Sequence, residues 1–171
     1  MRRSYGVAFD IPEPWASVLT DARMVTGDPV ATQAPAHVTL LPPTELPGGR
    51  QRELEEHLIS VAGRFAPYRM RLAGTGTFRP ASEVVYVAVD TGFARTRALA
   101  AALAELPDLP PSPFGCHPHV TVAHNVPTAE LDGIAARLSG FTAEFVVDGF
   151  ALCSHGGDQR WTRHGAYRLA G

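Results

Sequence analysis

The sequence predicts an α+β fold with mixed or antiparallel sheets and a duplicated architecture. Short apolar runs typical of strands alternate with segments whose apolar residues recur at helical spacing. Strict alternation of strand and helix is broken where two strands follow each other, which favours α+β over a parallel α/β sheet. The tetrapeptide His-Val-Thr-Leu at 37–40 recurs as His-Val-Thr-Val at 119–122, so each half of the chain holds one copy.

The first part of the chain is predicted as strand, helix, strand and loop. The run 5–10 is short and apolar, as in a central strand. A helix that begins with prolines is predicted over 12–25, and its apolar residues recur at helical spacing, as in a stripe that faces the core. A strand over 36–41 carries the first motif, and the prolines and glycines of 42–49 predict a loop.

The middle of the chain is predicted as helix, two strands and helix. Residues 50–65 show the clearest helical pattern, with an apolar face opposite a row of glutamates. Strands are expected over 68–72 and 84–89, flanking a turn around 74–76. The alanine-rich segment 94–106 predicts another helix.

The last part begins with a linker at 107–113, which has four prolines in seven residues. The second motif strand follows at 119–123, and Thr128 is placed to cap a helix. Two final strands are expected over 141–153 and 160–169, joined by a hairpin loop. The predicted order is β-α-β-α-β-β-α-β-α-β-β.

Length and composition indicate one ordinary globular domain. The chain has 171 residues, of which 45% are hydrophobic and 19% charged. No apolar run approaches the roughly 20 residues of a membrane-spanning helix, and the first residues do not form a signal peptide, so we expect a cytoplasmic protein. A net charge of −2 argues against binding long nucleic acid by counterion release and favours a small or terminal phosphate substrate. Cys116 and Cys153 are expected to be free thiols.

The repeated motif places one histidine and one threonine on the same side of a strand. Because successive strand side chains point to opposite faces, His37 and Thr39 share one face, and His119 and Thr121 repeat the arrangement. With 7 His and 13 Thr, chance predicts roughly half of one His-x-Thr, so two copies flanked by aliphatic residues are informative. Taken singly, each His has the alternative of a satisfied strand-end residue and each Thr that of an ordinary β-branched strand residue.

The tandem motif resembles the 2H phosphoesterase superfamily, specifically its bacterial 2′-5′ RNA ligase and cyclic phosphodiesterase group. The resemblance extends to the segments 5–12, 35–43 and 118–123, and to the closing hairpin around Trp161. It implies a single domain, 1–171, of two pseudo-symmetric lobes, with two sheets flanked by helices and an active-site cleft between the lobes. One departure is that the family often has a basic residue where this chain has His124.

The resemblance also implies a reaction and its residues. Two imidazoles with pKa values near ~6.5 can serve as general base and general acid in opening a cyclic phosphodiester. The resemblance assigns His37 as acid and His119 as base for hydrolysis, whereas ligation and its reverse exchange these roles, and it assigns Thr39 and Thr121 as phosphate ligands. The substrate would be an RNA end with a 2′,3′-cyclic phosphate or a small cyclic nucleotide, with neither metal nor cofactor. The alternative is a noncatalytic module that binds RNA ends or nucleotides.

Several further residues are candidates for substrate binding. Phe9 and Phe114 could stack a nucleobase, with core packing as the alternative. His124 could contact phosphate or nucleotide. The arginines that could approach a phosphate are Arg79, Arg160 and Arg163.

A metal site is the remaining alternative. It would use the cluster Cys116, His117, His119 and His124, and zinc requires three or four converging ligands.

Overall fold

Two antiparallel sheets and four helices form the fold, which confirms the predicted α+β class. The computed structural model describes residues 3–46, 49–110, 115–155 and 161–171. Within these ranges the strands are β1 (Arg3–Asp10), β2 (His37–Leu46), β3 (Tyr68–Thr77), β4 (Val84–Thr91), β5 (His119–His124), β6 (Thr142–Val147), β7 (Gly149–His155) and β8 (Trp161–Arg168). The helices are α1 (Trp15–Val25), α2 (Gln51–Ala62), α3 (Phe93–Leu103) and α4 (Thr128–Arg137).

The two sheets have matching arrangements. The first sheet has the order β2-β1-β7-β8 and the second has the order β5-β4-β3-β6. Each motif strand, β2 or β5, therefore occupies the edge of its sheet and pairs antiparallel with one neighbour, β1 or β4. The two motif strands also contact each other across the lobes, while α1 contacts β5 and α3 contacts β2.

The helices bury apolar stripes against these sheets. In α2 the side chains of Leu54, Leu58 and Val61 are at most 2% exposed, as the helical spacing predicts. In α4 the residues Leu131 and Ile134 pack inward in the same way. Burial of such side chains contributes roughly 1.5–3 kcal/mol each, so the helices hold the sheets in fixed positions.

One predicted strand is in fact two strands in different sheets. The segment expected as one strand over 141–153 breaks at Asp148, because β6 pairs with β3 whereas β7 pairs with β1 and β8. Gly149 lies at the crossing. A Cβ atom there would lie 2.6 Å from the carbonyl oxygen of Tyr167, so a side chain does not fit.

Two segments that were predicted as a loop and a turn belong, in whole or in part, to strands. β2 continues through Pro42 and Pro43 to Leu46, because it is an edge strand and its register with β1 shifts at this point. β3 continues to Thr77 through the segment predicted as a turn, with a register shift and a positive φ of 73° at Gly74. Residues 111–114, which include the end of the predicted linker, and 156–158 of the predicted hairpin loop lie outside the described ranges.

The crossing between the sheets gives a test of the fold. Gly149→Ala should lower the free energy of unfolding by roughly 1–3 kcal/mol, because the new methyl group overlaps a backbone carbonyl. Gly133→Ala is the control, since a Cβ atom at that position in α4 meets nothing within 4 Å, and it should raise the free energy by about 0.5–1 kcal/mol. Urea denaturation monitored by circular dichroism measures both. An unchanged midpoint for Gly149→Ala would contradict the crossing geometry.

Candidate active site

The two motif strands bury one face and open the other. Val38 and Leu40 are at most 3% exposed, and Val120 and Val122 are completely buried. The histidines and threonines between them are partly exposed. The aliphatic positions therefore fix the side on which both motifs present their polar groups.

Both histidines line a single cleft of about 260 Å³. The cleft residues come from both lobes: Arg23, Val30, Gln33, Ala34, His37, Phe78, Val84, His119, Thr121, His124 and Trp161. Thr39 lies on the same face of β2 as His37 but is outside this lining. The structure thus brings together His37, His119, Thr121 and His124 of the residues singled out in the sequence.

Each motif histidine is held by the same local contact. The Nδ1 atom of His37 lies 2.7 Å from the carbonyl oxygen of Pro35, and that of His119 lies 2.6 Å from the carbonyl oxygen of His117. A carbonyl oxygen can only accept, so Nδ1 carries the proton in both rings. In the neutral rings Nε2 is then the nitrogen with a free lone pair.

The surroundings favour neutral imidazoles. Burial is the main cause that lowers the pKa of His37, and the nearby Arg23 lowers it further, while the Pro35 carbonyl and Asp10 oppose the change. Burial also lowers the pKa of His119, to which the charges of His117 and His37 contribute. A charge on His37 therefore disfavours protonation of His119.

Aromatic rings flank both histidines. In the first sheet the ring of Trp161 lies 5.6 Å from that of His37, between centroids. Gly6 makes room for this ring, because a Cβ atom there would come within 2.7 Å of it. In the second sheet the ring of Phe78 meets that of His119 edge-on at 4.9 Å.

The second sheet also has a glycine that makes room for an aromatic ring beside the motif histidine. The ring of Tyr86 lies 5.3 Å from that of His119, between centroids. A Cβ atom on Gly76 would come within 2.6 Å of the Tyr86 ring. Each motif histidine therefore has a neighbouring aromatic ring that lies directly over backbone.

Of the two predicted stacking residues, the structure describes Phe9, which is not among the residues that line the cleft. Phe9 is 5% exposed and belongs to the hydrophobic core, opposite Val38 in the β1–β2 pairing. Its position fits the packing alternative, because β1 turns this side chain towards the core. Phe114 lies outside the described residues.

The arginines singled out in the sequence are paired elsewhere or outside the described ranges. Arg79 forms an ion pair of 2.8 Å with Asp132, and Arg163 pairs with Asp10. Arg160 lies outside the described residues.

Sequence reasoning missed Arg23, Gln33, Phe78 and Trp161 as cleft residues. Arg23 lies in the last turn of a helix and Phe78 follows β3, so neither is marked by a motif. Trp161 marks the closing hairpin in the sequence, and only the structure shows that its ring lies beside that of His37. No local pattern in the sequence marks these residues, because each reaches the cleft through the packing of separate elements.

The metal alternative has no set of ligands in the part of the chain that the structure describes. Among those residues no group of three or more His, Cys, Asp or Glu side chains is placed to hold a metal ion. Burial raises the pKa of the Cys116 and Cys153 thiols, which keeps both cysteines protonated near neutral pH. No helix of the described ranges is both long and apolar enough to cross a membrane.

The repeated motif, with one copy in each sheet, leads to the comparison with known families. Residues 11–159 match the 2′-5′ RNA ligase superfamily. The chain therefore belongs to this superfamily, which confirms the resemblance inferred from the tandem motif.

Two bacterial proteins named as putative phosphoesterases are similar to most of this chain. A protein of Oceanobacillus iheyensis, named as a putative phosphoesterase, is 27% identical over 169 residues, which cover 96% of this chain and 97% of the relative. A protein of the same description from Bacillus cytotoxicus is 26% identical over 147 residues, or 83% of each chain.

Solved structures share the fold. Protein TT0787 of Thermus thermophilus has a TM-score of 0.67 at 26% identity, and the match covers 100% of this chain and 99% of that one. LigT of Escherichia coli, crystallised with 3′-AMP, has a TM-score of 0.68 at 21% identity over 100% of both chains. The bilobal arrangement of two sheets is thus that of the LigT-like fold.

The lowered pKa values predict how stability depends on pH. Below about pH 6.5 the unfolded chain protonates its histidines while the folded chain resists protonation at His37 and His119. The unfolded state then binds more protons, so the free energy of unfolding falls as the pH falls through this range. The double variant His37→Gln, His119→Gln should show a smaller decrease between about pH 6.5 and 5 in urea titrations. Equal decreases in both proteins would contradict the burial effect.

Proposed function

We propose that this chain is a metal-independent phosphoesterase that hydrolyses 2′,3′-cyclic phosphates of RNA ends or nucleotides. The observation that carries the proposal is the pair of imidazoles, one from each lobe, that line one cleft with their Nδ1 atoms bonded to carbonyl oxygens. This arrangement leaves two Nε2 atoms available to the same substrate. We place the activity in the cytoplasm, where RNA ends and free nucleotides occur.

Proton transfer in this scheme needs one neutral and one protonated ring. The Nε2 atom of neutral His119 accepts a proton from water as the water oxygen attacks phosphorus. Protonated His37 donates its Nε2 proton to the ribose oxygen as the bond between that oxygen and phosphorus breaks. Each transfer contributes roughly 10²–10⁴-fold to the rate. The products are a phosphomonoester and a free ribose hydroxyl, after which the rings have exchanged protonation states and must re-equilibrate with solvent.

In this scheme the threonines stabilise negative charge on the phosphate by donating hydrogen bonds. Thr121 lines the cleft beside both histidines, so its hydroxyl can donate a hydrogen bond to a non-bridging oxygen. Thr39 has the equivalent place in the first motif and the same role in the proposal. Ligation to form a 2′-5′ linkage would follow the same steps, with a 5′-hydroxyl in place of water as the nucleophile, and acid and base would exchange roles when that linkage is cleaved back to the cyclic phosphate.

Related structures support a nucleotide as ligand. The Escherichia coli LigT structures include complexes with 3′-AMP, NADP⁺ and ATP. The aromatic rings of Trp161 and Phe78 beside the two histidines offer surfaces for base stacking in this cleft. His124 lines the same cleft and would contact the nucleotide.

Substitution of the histidines tests the proposal directly. His37→Gln and His119→Gln should each lower kcat/KM for a 2′,3′-cyclic mononucleotide by roughly 10²–10⁴-fold, because each removes an acid or a base. His164→Gln is the matched control, since His164 is exposed and contacts Ser154 and Tyr5 outside the cleft lining. The assay runs with EDTA and identifies the product by chromatography. Wild-type turnover by either cleft variant would remove that histidine from the mechanism, and nucleotide binding without turnover by the wild type would favour the noncatalytic module.

The rate should depend on pH as a bell-shaped curve. Because burial lowers the pKa of both histidines, the maximum of kcat/KM should lie below about pH 6.5. A bound phosphate anion stabilises imidazolium, so the kcat curve should lie at higher pH than the kcat/KM curve. Initial rates across a pH range of roughly 4.5 to 9 with EDTA measure both. A curve that rises to a plateau, or activity that EDTA abolishes and zinc restores, would refute the two-imidazole scheme.

A further inference from the structure

Arg23 occupies the point where the two motifs meet. It lies in the last turn of α1, and its side chain is 14% exposed. Besides the main cleft, it lines a small cavity of about 10 Å³ together with His37 and Thr121. Its guanidinium is therefore next to one catalytic histidine and to the threonine of the opposite motif.

A buried carboxylate fixes the orientation of this arginine. The Nε atom of Arg23 donates to Oδ2 of Asp28 at 2.7 Å, and the Asp28 side chain is completely buried. The other carboxylate oxygen, Oδ1, accepts a hydrogen bond of 3.0 Å from the backbone N–H of Val30. Asp28 is thus held from both sides, and it aligns the guanidinium through Nε alone.

This contact leaves the two terminal nitrogens of Arg23 available. Among the described residues, no hydrogen bond or ion pair involves the Nη1 or Nη2 atom. The same part of the chain has no buried side-chain nitrogen or oxygen without a partner, so these two atoms are not fully buried, and Arg23 lines both cavities. Two parallel N–H donors directed into a cleft match the oxygens of a phosphate.

The other arginines singled out in the sequence each use a terminal nitrogen to bind a carboxylate, where they are described. Arg79 uses Nε for Thr77 and Nη2 for Asp132, and Arg163 uses Nη2 for Asp10. Neither belongs to the cleft lining. Arg23 is accordingly the arginine whose terminal nitrogens and position both suit the cleft, among the residues described.

We infer that Arg23, aligned by Asp28, binds the non-bridging oxygens of the reacting phosphate. The identity of that phosphate as a cyclic ester rests on the proposed function, whereas phosphate binding itself does not. Because arginine stays protonated across the working pH range, it supplies positive charge even when both histidines are neutral. Arg23 thereby makes the cleft selective for anions, and Asp28 is a positioning residue.

The experiment measures binding of inorganic phosphate by isothermal titration calorimetry. Arg23→Gln should weaken phosphate affinity by roughly 10- to 100-fold, because a charged hydrogen-bonded contact is lost. Arg52→Gln is the matched control, because Arg52 is 89% exposed on α2 and pairs only with Glu56 among the described residues, and it should bind phosphate like the wild type. Cyclic nucleotide hydrolysis by Arg23→Gln should fall by a similar factor in kcat/KM.

A second variant separates binding from folding. Arg23→Gln alone leaves the Asp28 carboxylate buried without its cation, which can destabilise the chain. The double variant Arg23→Gln, Asp28→Asn removes both charges and retains an oxygen acceptor for the Val30 N–H, and it should show the same loss of phosphate affinity in a folded protein. Phosphate affinity within twofold of wild type in either folded variant would overturn the inference, as would a wild-type chain that binds no phosphate. Phosphate binding that depends on Arg23, in a wild-type chain that hydrolyses no cyclic phosphate, would support the inference and refute the proposed function.

Discussion

The architecture depends on burial of one face of each motif strand. Val38, Leu40, Val120 and Val122 are at most 3% exposed, and the two-residue period of a strand then directs the intervening histidine and threonine to the opposite side. A register slip of one residue would exchange these faces and bury an imidazole. The hydrophobic core therefore determines where the polar groups lie.

Contact between the two edge strands brings the exposed faces of both motifs to one cleft. β2 and β5 contact each other. In addition, α1 contacts β5 and α3 contacts β2, so each motif strand also packs against a helix of the other lobe. The two exposed faces consequently line one cleft. The short loop before each strand completes the arrangement, because the carbonyl group two residues before each histidine holds Nδ1 and so leaves Nε2 with the free lone pair in the neutral ring.

Electrostatic balance in the cleft follows from the same packing. Burial lowers the pKa of both histidines, so the free protein favours neutral rings. In the proposed reaction, an anionic phosphate would reverse this preference by stabilising one imidazolium. The Arg23–Asp28 pair adds a guanidinium to the cleft lining, whereas the carboxylate that aligns it is completely buried and is not part of that lining.

Local patterns in the sequence predicted the α+β class, the four helices and the faces of the motif strands. These features depend on hydrophobic period and on neighbouring residues, which one sequence displays. Partner choice between strands is nonlocal, so the run 141–153 looked like one strand although the chain crosses between two sheets at Asp148 and Gly149. The same distinction explains the errors at the site. Phe9 has the chemistry of a stacking residue but faces the core, and Arg23 has no motif although it lines the cleft, because both positions depend on which elements pack together.

The crossing from β6 to β7 has a consequence for synthesis of the chain. All four strands of the second sheet lie within residues 68–147, whereas the first sheet combines β1 and β2 with β7 and β8 from the end of the chain. During translation the sheet that carries His119 can be complete while the sheet that carries His37 still lacks half of its strands. The two halves of the candidate site can therefore form at different times, because β7 and β8, which bring Trp161 to His37, are synthesised after all four strands of the second sheet.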